Sequence, residues 1–549
     1  MHKVVTAAQM REIDRQSTEQ FGLPSLQLME NAAQAVTDSV MMLAGSGSFR
    51  VLVFCGPGNN GGDGAAIARQ LAEAGGEVCV VLAKPRAETK GDARTNIDAI
   101  FQMSDAVTDD ALVELYECTD EEGWASFVAT GIGSHPNFIV DALFGTGLTR
   151  PLGGHYEAIC NYINELGGSE SNNAPWVISV DVPSGLNSDS NELMGTSVQA
   201  FTTVTFTAPK LANVLPPASR QSETLTVAPI GSPAILVDMA DSRLFLTSES
   251  DVQDWMVSTR YRAGSFKNSH GHVLVIAGSR DYAGAPVLCG DAAMCSGAGL
   301  VTVATPASAM PAVSARLMPE IITATLAETD SGAVSLDAIH QVEKLAQRAN
   351  VIAVGPGLSS TGEPTREFMR WLVEHRQRPL VIDADGLNAL SPWPEGLRGS
   401  DELPLILTPH LGEMRRLLGA EVGERPWVAA SEFAQTHNVV LVLKGERTLV
   451  AIPDGQVFIN PTGNPGVGTA GAGDTMTGVI AGFVAQEVAT NREKPRLGEA
   501  VRAAIYVCGE AADIAVEDLG MRGMTASAIR SYLSQAMLDL ARGTEKPWQ

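Results

Sequence analysis

The chain has 549 residues, of which 45% are hydrophobic and 18% are charged, and its formal net charge is −25. This composition is that of an ordinary globular protein, and the length predicts about two to four domains. The excess of acidic residues argues against nucleic acid or an anionic membrane as a partner, so anionic ligands must be held by local backbone N–H groups and a few cations.

The seven cysteines are scattered through mostly apolar segments, and no pair has the spacing of a zinc site. We therefore expect reduced, buried thiols. The N-terminal segment lacks the apolar stretch of a signal peptide, and no run of residues approaches the length of a membrane span. A cytoplasmic location is the resulting expectation.

The first half opens with helices over residues 5–45, for which Thr6 is the candidate N-cap. The next predicted elements are a buried strand (50–55), a glycine-rich loop (56–64), a helix (65–74) and a second strand (78–82). Gly56, Gly58 and Gly61 have the spacing of a dinucleotide-binding turn. The second strand ends without the Asp or Glu that would hold a ribose hydroxyl, so we expect a nucleotide-like ligand bound in another way.

Two further predicted strands end in polar loops. One strand ends at Asp141 and leads into the loop 145–151, and the other ends at Asp181 and leads into a loop that contains Ser184. Ligands sit at the carboxyl ends of the strands in open α/β sheets, so we expect three such loops to converge on one site. A single Asp at a strand end is more often a cap or a turn former, and the repetition of the pattern favours a site.

These loops resemble the motifs of the NAD(P)H-hydrate epimerase domain. The matching strings are Asn59-Asn-Gly-Gly-Asp-Gly64, Asp141-Ala-Leu-Phe-Gly-Thr-Gly147 and Asp181-Val-Pro-Ser-Gly185. The resemblance implies a Rossmann-like, three-layer αβα domain, which we place at residues 1–235. The residues that it implies for binding the hydrated nicotinamide nucleotide are Asn59, Asn60, Gly61, Gly62, Asp63, Gly145, Thr146, Gly147, Leu148, Thr149, Arg150, Pro151 and Asp181.

The same resemblance implies a potassium ion held by Asn60, Asp141 and Ser184. We choose Asp181 as the acid/base, because epimerisation at the carbinol carbon needs reversible loss of water or ring opening, and a carboxylate can shuttle that proton. After this domain, residues 229–262 lose any clear period, and we place the boundary near 230–245. The halves show no self-similarity, which indicates a fusion of two different domains.

The second half alternates predicted strands and helices, which indicates a parallel sheet with helices on both faces. Polar side chains again follow strand ends, namely Asp383, Asp385, His410, Lys444 and Thr448. The two carboxylates could be turn formers, and His410 could simply satisfy a loop backbone. Its place at a strand end favours a site residue instead. Lys444 and Thr448 stand in the order expected of groups that grip phosphates.

The glycine-rich segment 463–478 leads into an apolar run with helical spacing. It therefore places free N–H groups at a helix N-terminus, where phosphate binds. No Lys-Ser/Thr pair follows the glycines, which excludes a Walker A loop, and no strand–helix–strand unit follows them, which weakens a dinucleotide match. Asp474 would repel a phosphate but could deprotonate a hydroxyl beside it. The segment predicts phosphoryl transfer onto an alcohol, and a surface connector is the alternative.

The order of these segments resembles the ribokinase-like fold and, more narrowly, the ADP/ATP-dependent NAD(P)H-hydrate dehydratase domain. The matching strings are Gly355-Pro-Gly-Leu358, Asp383-Ala-Asp-Gly-Leu-Asn388, Thr408-Pro-His-Leu-Gly-Glu413, Lys444-Gly-Glu-Arg-Thr448 and Gly471-Ala-Gly-Asp474. The resemblance implies a ribokinase-like αβα domain over residues 245–549. It assigns the hydrated substrate to Ala285, Gly357, His410 and Asp474, and the adenine nucleotide to Lys444, Gly445, Glu446, Arg447, Thr448 and Gly473.

Together the two resemblances predict one repair enzyme. The first domain would interconvert R- and S-NAD(P)HX with the help of potassium, and the second would dehydrate S-NAD(P)HX to NAD(P)H, AMP and phosphate with ADP and Mg²⁺. A homo-oligomer without nucleic-acid or membrane partners is expected. The alternatives are a kinase for a small vitamin or sugar alcohol with an N-terminal nucleotide-binding domain, and a nucleotide-sensing module without turnover.

Overall fold

The structure is a computed structural model that describes residues 1–105, 113–133, 135–168, 174–359 and 362–542. It divides into two compact units, His2–Ser242 and Arg243–Gln549 with Met1. Within the described ranges, no helix is long and apolar enough to cross a membrane. All seven cysteines are free, and five of them are buried, in agreement with the expectation of reduced thiols.

The first unit alternates helices and strands. Its elements are β1 (His2–Lys3), α1 (Ala7–Glu19), α2 (Ser25–Ala44), β2 (Arg50–Cys55), α3 (Asn59–Glu73), β3 (Glu77–Leu82), α4 (Gly91–Asp105), β4 (Val113–Glu117), α5 (Glu121–Thr130), β5 (Phe138–Ala142), α6 (His155–Gly167), β6 (Trp176–Val180), β7 (Ala200–Phe206), α7 (Leu211–Val214), β8 (Ser222–Ala228) and α8 (Ala234–Met239). Thr6 caps α1 through a capping box, as its sequence predicts.

Strands β2 to β8 form a parallel sheet in the order β4–β3–β2–β5–β6–β7–β8. Successive side chains of a strand point to opposite faces, and β2 is buried on both. Val51 and Val53 pack into the core formed with α2, α3 and α4. Leu52 and Phe54 pack into the core formed with α5 and α6. The result is a three-layer αβα unit.

The predicted loop over residues 56–64 is wrong in its extent, because α3 already begins at Asn59. Glycines of this helix allow it to pack closely against neighbouring segments. A Cβ added at Gly61 would lie 2.0 Å from the carbonyl oxygen of Gly56, and one added at Gly62 would lie 2.6 Å from the Cα of Ala93. The missing side chains therefore let α3 approach the preceding turn and α4.

The second unit continues the alternation. Its elements are β9 (Leu244–Leu246), α9 (Glu249–Thr259), β10 (His272–Ile276), α10 (Ala285–Cys295), β11 (Leu300–Pro306), α11 (Met310–Ser314), β12 (Ile322–Leu326), α12 (Ile339–Ala346), β13 (Val351–Val354), α13 (Glu363–Glu374), β14 (Leu380–Ile382), α14 (Asp385–Ala389), β15 (Leu405–Leu407), α15 (Leu411–Leu418), α16 (Pro426–His437), β16 (Val440–Leu443), β17 (Leu449–Ala451), β18 (Val457–Ile459), α17 (Ala472–Thr490), α18 (Leu497–Leu519) and α19 (Ala526–Ala541).

The sheet of the second unit has the order β9–β18–β17–β16–β15–β14–β13–β10–β11–β12. The predicted parallel pairing holds from β12 to β16. It fails at β17, which runs antiparallel to both β16 and β18, because the short connection 444–448 can join only antiparallel strands. The segment 229–262, which has no clear period in the sequence, contains α8, β9 and α9.

Helix α17 lies in the core of the second unit, and its N-terminus follows the glycine-rich segment. Its buried residues Val479, Ile480 and Phe483 share one hydrophobic core with Val273 and Val275 of β10. A Cβ added at Gly478 would lie 2.2 Å from the carbonyl oxygen of Cys289, so the missing side chain lets α17 and α10 pack closely. This packing fixes the position of the α17 N-terminus.

Candidate active sites

In the first unit, three strand ends meet at one edge of the sheet. Strands β2, β5 and β6 are neighbours, and the Gly56 N–H donates to the carbonyl of Ala142 at 2.9 Å. A Cβ added at Gly145 would lie 2.8 Å from Asn60 Oδ1 and 3.4 Å from Asp181 Oδ2. The structure therefore brings Asn60, Gly145 and Asp181 together, and Gly145 leaves space between an amide and a carboxylate.

The other residues assigned to the hydrated substrate differ in exposure. Asn60, Gly61, Gly62, Asp63 and Leu148 are buried, and Gly145 and Thr146 are half-buried. The exposed members of the set are Asn59, Gly147, Thr149, Arg150 and Pro151. The buried glycines are explained by helix packing, whereas the exposed residues Gly147, Thr149, Arg150 and Pro151 are open to a ligand from solvent.

The ends of β5 and β6 are tied together by one buried carboxylate. Asp141 is fully buried and accepts from Ser184 Oγ at 2.6 Å, Ser184 N at 2.9 Å, Ser179 Oγ at 2.9 Å and Leu143 N at 3.3 Å. Burial raises the pKa of Asp141, and the hydrogen bonds from Ser184 and Ser179 oppose that rise. Ser184 Oγ also accepts from the N–H of Phe144 at 2.9 Å, which orders the start of the 145–151 loop.

Asp181 is held by a buried lysine that the sequence motifs did not single out. Lys210 Nζ lies 2.5 Å from Asp181 Oδ1 and also donates to Thr205 Oγ1 at 2.9 Å and to the carbonyl of Phe206 at 3.3 Å. Thr205 Oγ1 donates to the same carboxylate oxygen at 2.9 Å. The backbone of Asp181 has φ of +66°, a left-handed conformation in which Asp is better tolerated than most residues. These contacts fix the position of its carboxylate.

Two further carboxyl groups belong to this cluster, those of the buried Asp63 and the half-buried Asp14. Burial, Asp181 and Asp14 raise the pKa of Asp63 well above its ordinary value. Burial raises the pKa of Asp14 to about 6, the charge of Lys210 opposes the rise, and that of Asp181 adds to it. Sequence reasoning missed Asp14 and Lys210. The available signals were an acidic residue on the buried stripe of α1 and a lysine directly after an alternating strand.

In the second unit, the N-terminus of α17 lies beside a lysine–aspartate pair. Gly471 takes φ of +84° directly before the helix, and a Cβ added at Gly473 would lie 3.5 Å from Lys444 Nζ and 3.7 Å from Asp383 Oδ2. Asp474 is half-buried in the first turn. Burial and the charge of Asp383 raise the pKa of Asp474 to about 6, against the opposing effect of Lys444. Asp474 can therefore exchange a proton near neutral pH.

Lys444 is surrounded by carboxylates. Its Nζ donates to Asp383 Oδ1 at 2.7 Å and lies 3.9 Å from Glu413 Oε2, and Thr477 Oγ1 donates to Asp383 Oδ2 at 2.7 Å. Burial works to lower the pKa of Lys444, but the charges of Asp383 and Glu413 outweigh it, so that pKa is raised. Burial raises the pKa of Glu413. Lys444 thus carries a fixed positive charge next to the α17 N-terminus.

The sequence suggests that His410 could simply satisfy a loop backbone, and the structure shows that it does make such contacts. His410 is the N-cap of α15, and its Nδ1 accepts from the N–H groups of Gly412 at 3.0 Å and Glu413 at 3.3 Å. The N–H of His410 in turn donates to Glu413 Oε2 at 2.9 Å. The side chain is half exposed, so the rest of the ring remains accessible to a ligand.

The remaining predicted residues of the second unit lie in two separate parts of the structure. Ala285 and Gly357 adjoin each other, since a Cβ added at Gly357 would lie 3.1 Å from the Cβ of Ala285. In the connection between β16 and β17, Gly445 and Glu446 are exposed and Thr448 is buried. Arg447 donates from Nη1 to the carbonyl of Pro461, so this side chain is engaged within the fold.

A cavity of about 1080 Å³ in the second unit lies away from these residues. It is lined by segments that precede β13, β14, β15 and β16, such as Asn350, Pro379 and Pro404, and it therefore faces the amino ends of the strands. The carboxylates, the lysine and the glycine-rich loop all gather at the carboxyl ends. We place the chemistry there, because parallel sheets bind ligands at that edge.

Both units therefore gather buried carboxylates, one lysine and glycine-rich loops at the carboxyl edge of a parallel sheet, which defines a two-domain α/β enzyme. Two family models match the chain: NAD(P)H-hydrate dehydratase over residues 273–535 and YjeF-related protein N-terminus over residues 25–212. Together these matches cover most of the chain. The chain belongs to the family of bifunctional NAD(P)H-hydrate repair enzymes, as its motifs predict.

The relatives match nearly the whole chain. The bifunctional NAD(P)H-hydrate repair enzyme of Moorella thermoacetica is 38% identical, covering 99% of this chain and 98% of the relative. The one from Thermofilum pendens is 36% identical with the same coverage. Among solved structures, the ADP/ATP-dependent NAD(P)H-hydrate dehydratase from Bacillus subtilis, co-crystallised with ATP and Mg²⁺, is 28% identical with a TM-score of 0.45, covering 54% of this chain and 98% of that one.

Proposed function

We propose that this protein repairs hydrated nicotinamide nucleotides in two steps. The first domain, at residues 1–235, interconverts R- and S-NAD(P)HX, and the second, at residues 245–549, converts S-NAD(P)HX and ADP into NAD(P)H, AMP and phosphate. The observation that carries this proposal is the similarity of nearly the entire chain to relatives named bifunctional NAD(P)H-hydrate repair enzymes. A homo-oligomer is part of the proposal.

Asp181 is the proposed acid/base of the epimerase domain. Loss of the C6 hydroxyl as water leaves a ring cation, and water returning to the other face gives the opposite epimer. In its protonated form, a carboxyl group beside C6 can donate a proton to the departing hydroxyl, and the resulting carboxylate can take a proton from the returning water. The fixed contact with Lys210 and the space beside Gly145 support this role for Asp181.

The oxygen groups around Phe144 fit the proposed potassium ion in their chemistry. Asp141, Ser184 and Asn60 supply a carboxylate, a hydroxyl and an amide, and hard cations prefer oxygen ligands. Within the described ranges, no group of three or more His, Cys, Asp or Glu side chains could hold a metal. A potassium ion held there would supply a positive charge for orienting the nucleotide.

In the dehydratase domain, Asp474 is the proposed base for the C6 hydroxyl. The oxygen attacks the terminal phosphorus of ADP, with Mg²⁺ carried by the nucleotide, and AMP leaves. The N–H groups at the start of α17 and the charge of Lys444 would stabilise the transferring phosphoryl group. Phosphate then leaves C6 and a proton leaves C5, which restores the ring double bond. The placement of Gly473 beside Lys444 supports this arrangement.

The test uses the full chain, a mixture of hydrate epimers, ADP and Mg²⁺. We expect all of the hydrate to return as NADH absorbance, with one AMP and one phosphate formed for each NADH. The variant Asp181→Asn should recover only the S-epimer share, and Asp474→Asn should recover none. A stable phosphorylated product without NADH would instead establish a kinase and overturn the proposal.

A further inference from the structure

Asp14 lies on the face of α1 that the unit buries. The buried residues of that helix are Ala7, Met10, Ile13 and Ser17, and Asp14 falls within the stripe that they form. Its Oδ1 is shielded from solvent, and among the described residues it has no hydrogen-bond partner. Burying a carboxylate oxygen without a hydrogen-bond partner costs stability.

The packing of α1 brings its buried face to the turn that precedes Lys210, the lysine that holds Asp181. Met10 and Ile13 share a small core with Ala208, and the N–H of Val5 donates to the carbonyl of Pro209 at 2.9 Å. Lys210 follows directly. Lys210 and Asp181 are accordingly the charges that act on Asp14.

Other titratable and charged groups lie near Asp14 or on the elements that pack against α1. Burial, the charge of Asp181 and the charge of Asp14 all raise the pKa of Asp63 on α3, so Asp63 is a carboxyl group whose charged form is disfavoured there. The residues of α8 that pack with α1 are the apolar Leu236 and Val237. Asp189 accepts from the N–H of Ala7 at the far end of the helix. Glu12 and Arg15 pair with each other on the exposed face.

We propose that Asp14 is a positioning residue of the epimerase site that competes with Asp181 for the positive charge of Lys210. This inference rests on the proposed epimerase function. When Asp14 is ionised, Lys210 is shared between two carboxylates, and Asp181 becomes the stronger proton acceptor. When Asp14 is protonated, Lys210 serves Asp181 alone, and Asp181 accepts a proton less readily. Asp14 thus adjusts the reaction without touching the substrate.

The experiment measures epimer interconversion by chromatography between pH 5 and pH 8, without ADP so that the dehydratase domain is silent. For the wild-type protein, we expect kcat to rise by about threefold through an ionisation near pH 6, while KM stays constant. In Asp14→Asn that rise should disappear, and the rate should stay at the wild-type low-pH value. Asp14→Glu should restore the rise, and the exposed matched variant Glu12→Gln should keep it.

Three results would overturn the inference: a wild-type profile that is flat near pH 6, an unchanged rise in Asp14→Asn, or a uniform loss of rate in Asp14→Asn at every pH. The last would assign Asp14 a purely structural role. Thermal unfolding of each variant shows whether it is folded, and Asp14→Ser provides a second neutral variant if Asp14→Asn is not. Absence of interconversion by the wild-type protein at any pH would refute the proposed function instead.

Discussion

The two sites use the same pair of residue types in different ways. In the first unit, the buried lysine contacts the proposed acid/base itself, with 2.5 Å between Lys210 Nζ and Asp181 Oδ1. In the second unit, Lys444 contacts Asp383 at 2.7 Å, and the proposed base Asp474 stands beside that pair. A lysine can thus contact the proposed reactive carboxylate directly, as Lys210 does, or contact a second carboxylate beside it, as Lys444 contacts Asp383.

This difference separates two ways of using a buried carboxylate. A close lysine favours the charged form and fixes its direction, at the cost of burying two charges. Burial and a neighbouring carboxylate disfavour the charged form of a carboxyl group, and together they raise the pKa of Asp474. The first arrangement suits a group that must stay in place during a reversible reaction. The second suits a group that takes up one proton and gives it away.

The largest expected effect is on the rate of dehydration, and it comes from a substitution in the second site. Asp474→Asn should lower the rate of ADP-dependent dehydration by about 100-fold to 10,000-fold, because the hydroxyl loses its general base. Epimer interconversion should be unchanged, since Asp474 belongs to the other unit. Phosphate release reports the first activity and chromatography of the epimers reports the second. Dehydration at the wild-type rate would remove Asp474 from the mechanism.

The next largest effect breaks the ion pair of the first site. Lys210→Met leaves the carboxylate of Asp181 without its charged partner, which should destabilise the first unit by about 3–5 kcal/mol. Calorimetry of the full chain should show the transition of that unit at a lower temperature. Arg15→Met removes a cation from an exposed pair on α1 and should leave the transition in place. Equal behaviour of the two variants would contradict a structural role for the buried pair.

The pH dependence of dehydration sharpens the comparison. The pKa of Asp474 is raised to about 6 by burial and by Asp383, so the base is ionised above that pH and protonated below it. We expect kcat/KM for dehydration to fall by about tenfold for each pH unit below 6. Asp383→Asn removes a neighbouring negative charge and should move this fall to lower pH. A fall at the same pH in both proteins would assign it to another group.

The smallest effect concerns the helix cap in the second site. His410→Ala removes the acceptor for two N–H groups at the start of α15 and should destabilise the second unit by about 1 kcal/mol. His410→Asn offers another cap and should be nearly as stable as the wild-type protein. If the ring also binds the hydrate, KM should rise in both variants. A normal KM in both would leave His410 with only its capping role.

Much of the framework could be predicted from the sequence because the strands are buried apolar runs that end in polar loops. The strand Arg50–Cys55 is an example, and its bounds agree with the structure. The extent of the following loop could not be predicted, because Gly61 and Gly62 serve helix packing rather than a turn. The antiparallel strand β17 was also missed, because Leu449–Ala451 is only three residues long and its apolar residues carry no clear strand pattern.

The site was only partly predictable. Asp141, Asp181 and Asp474 follow strands or open helices in recognisable strings, so local sequence identifies them. The local signals of Asp14 and Lys210, a charge on the apolar stripe of a helix and a lysine after an alternating strand, belong to no recognisable string, because a charge becomes unusual only when the folded chain buries it. Their importance depends on contacts between segments about two hundred residues apart, such as α1 and the turn before α7.

The left-handed backbone of Asp181 has a consequence for mutational scanning. Alanine or a branched residue at this position would combine two effects, loss of a negative group and a change of main-chain geometry, and the two could not be separated. Asparagine tolerates the same torsion angles and nearly the same shape. Asparagine is therefore the informative replacement at this position, and scores for bulkier ones would overstate the chemical importance of the side chain.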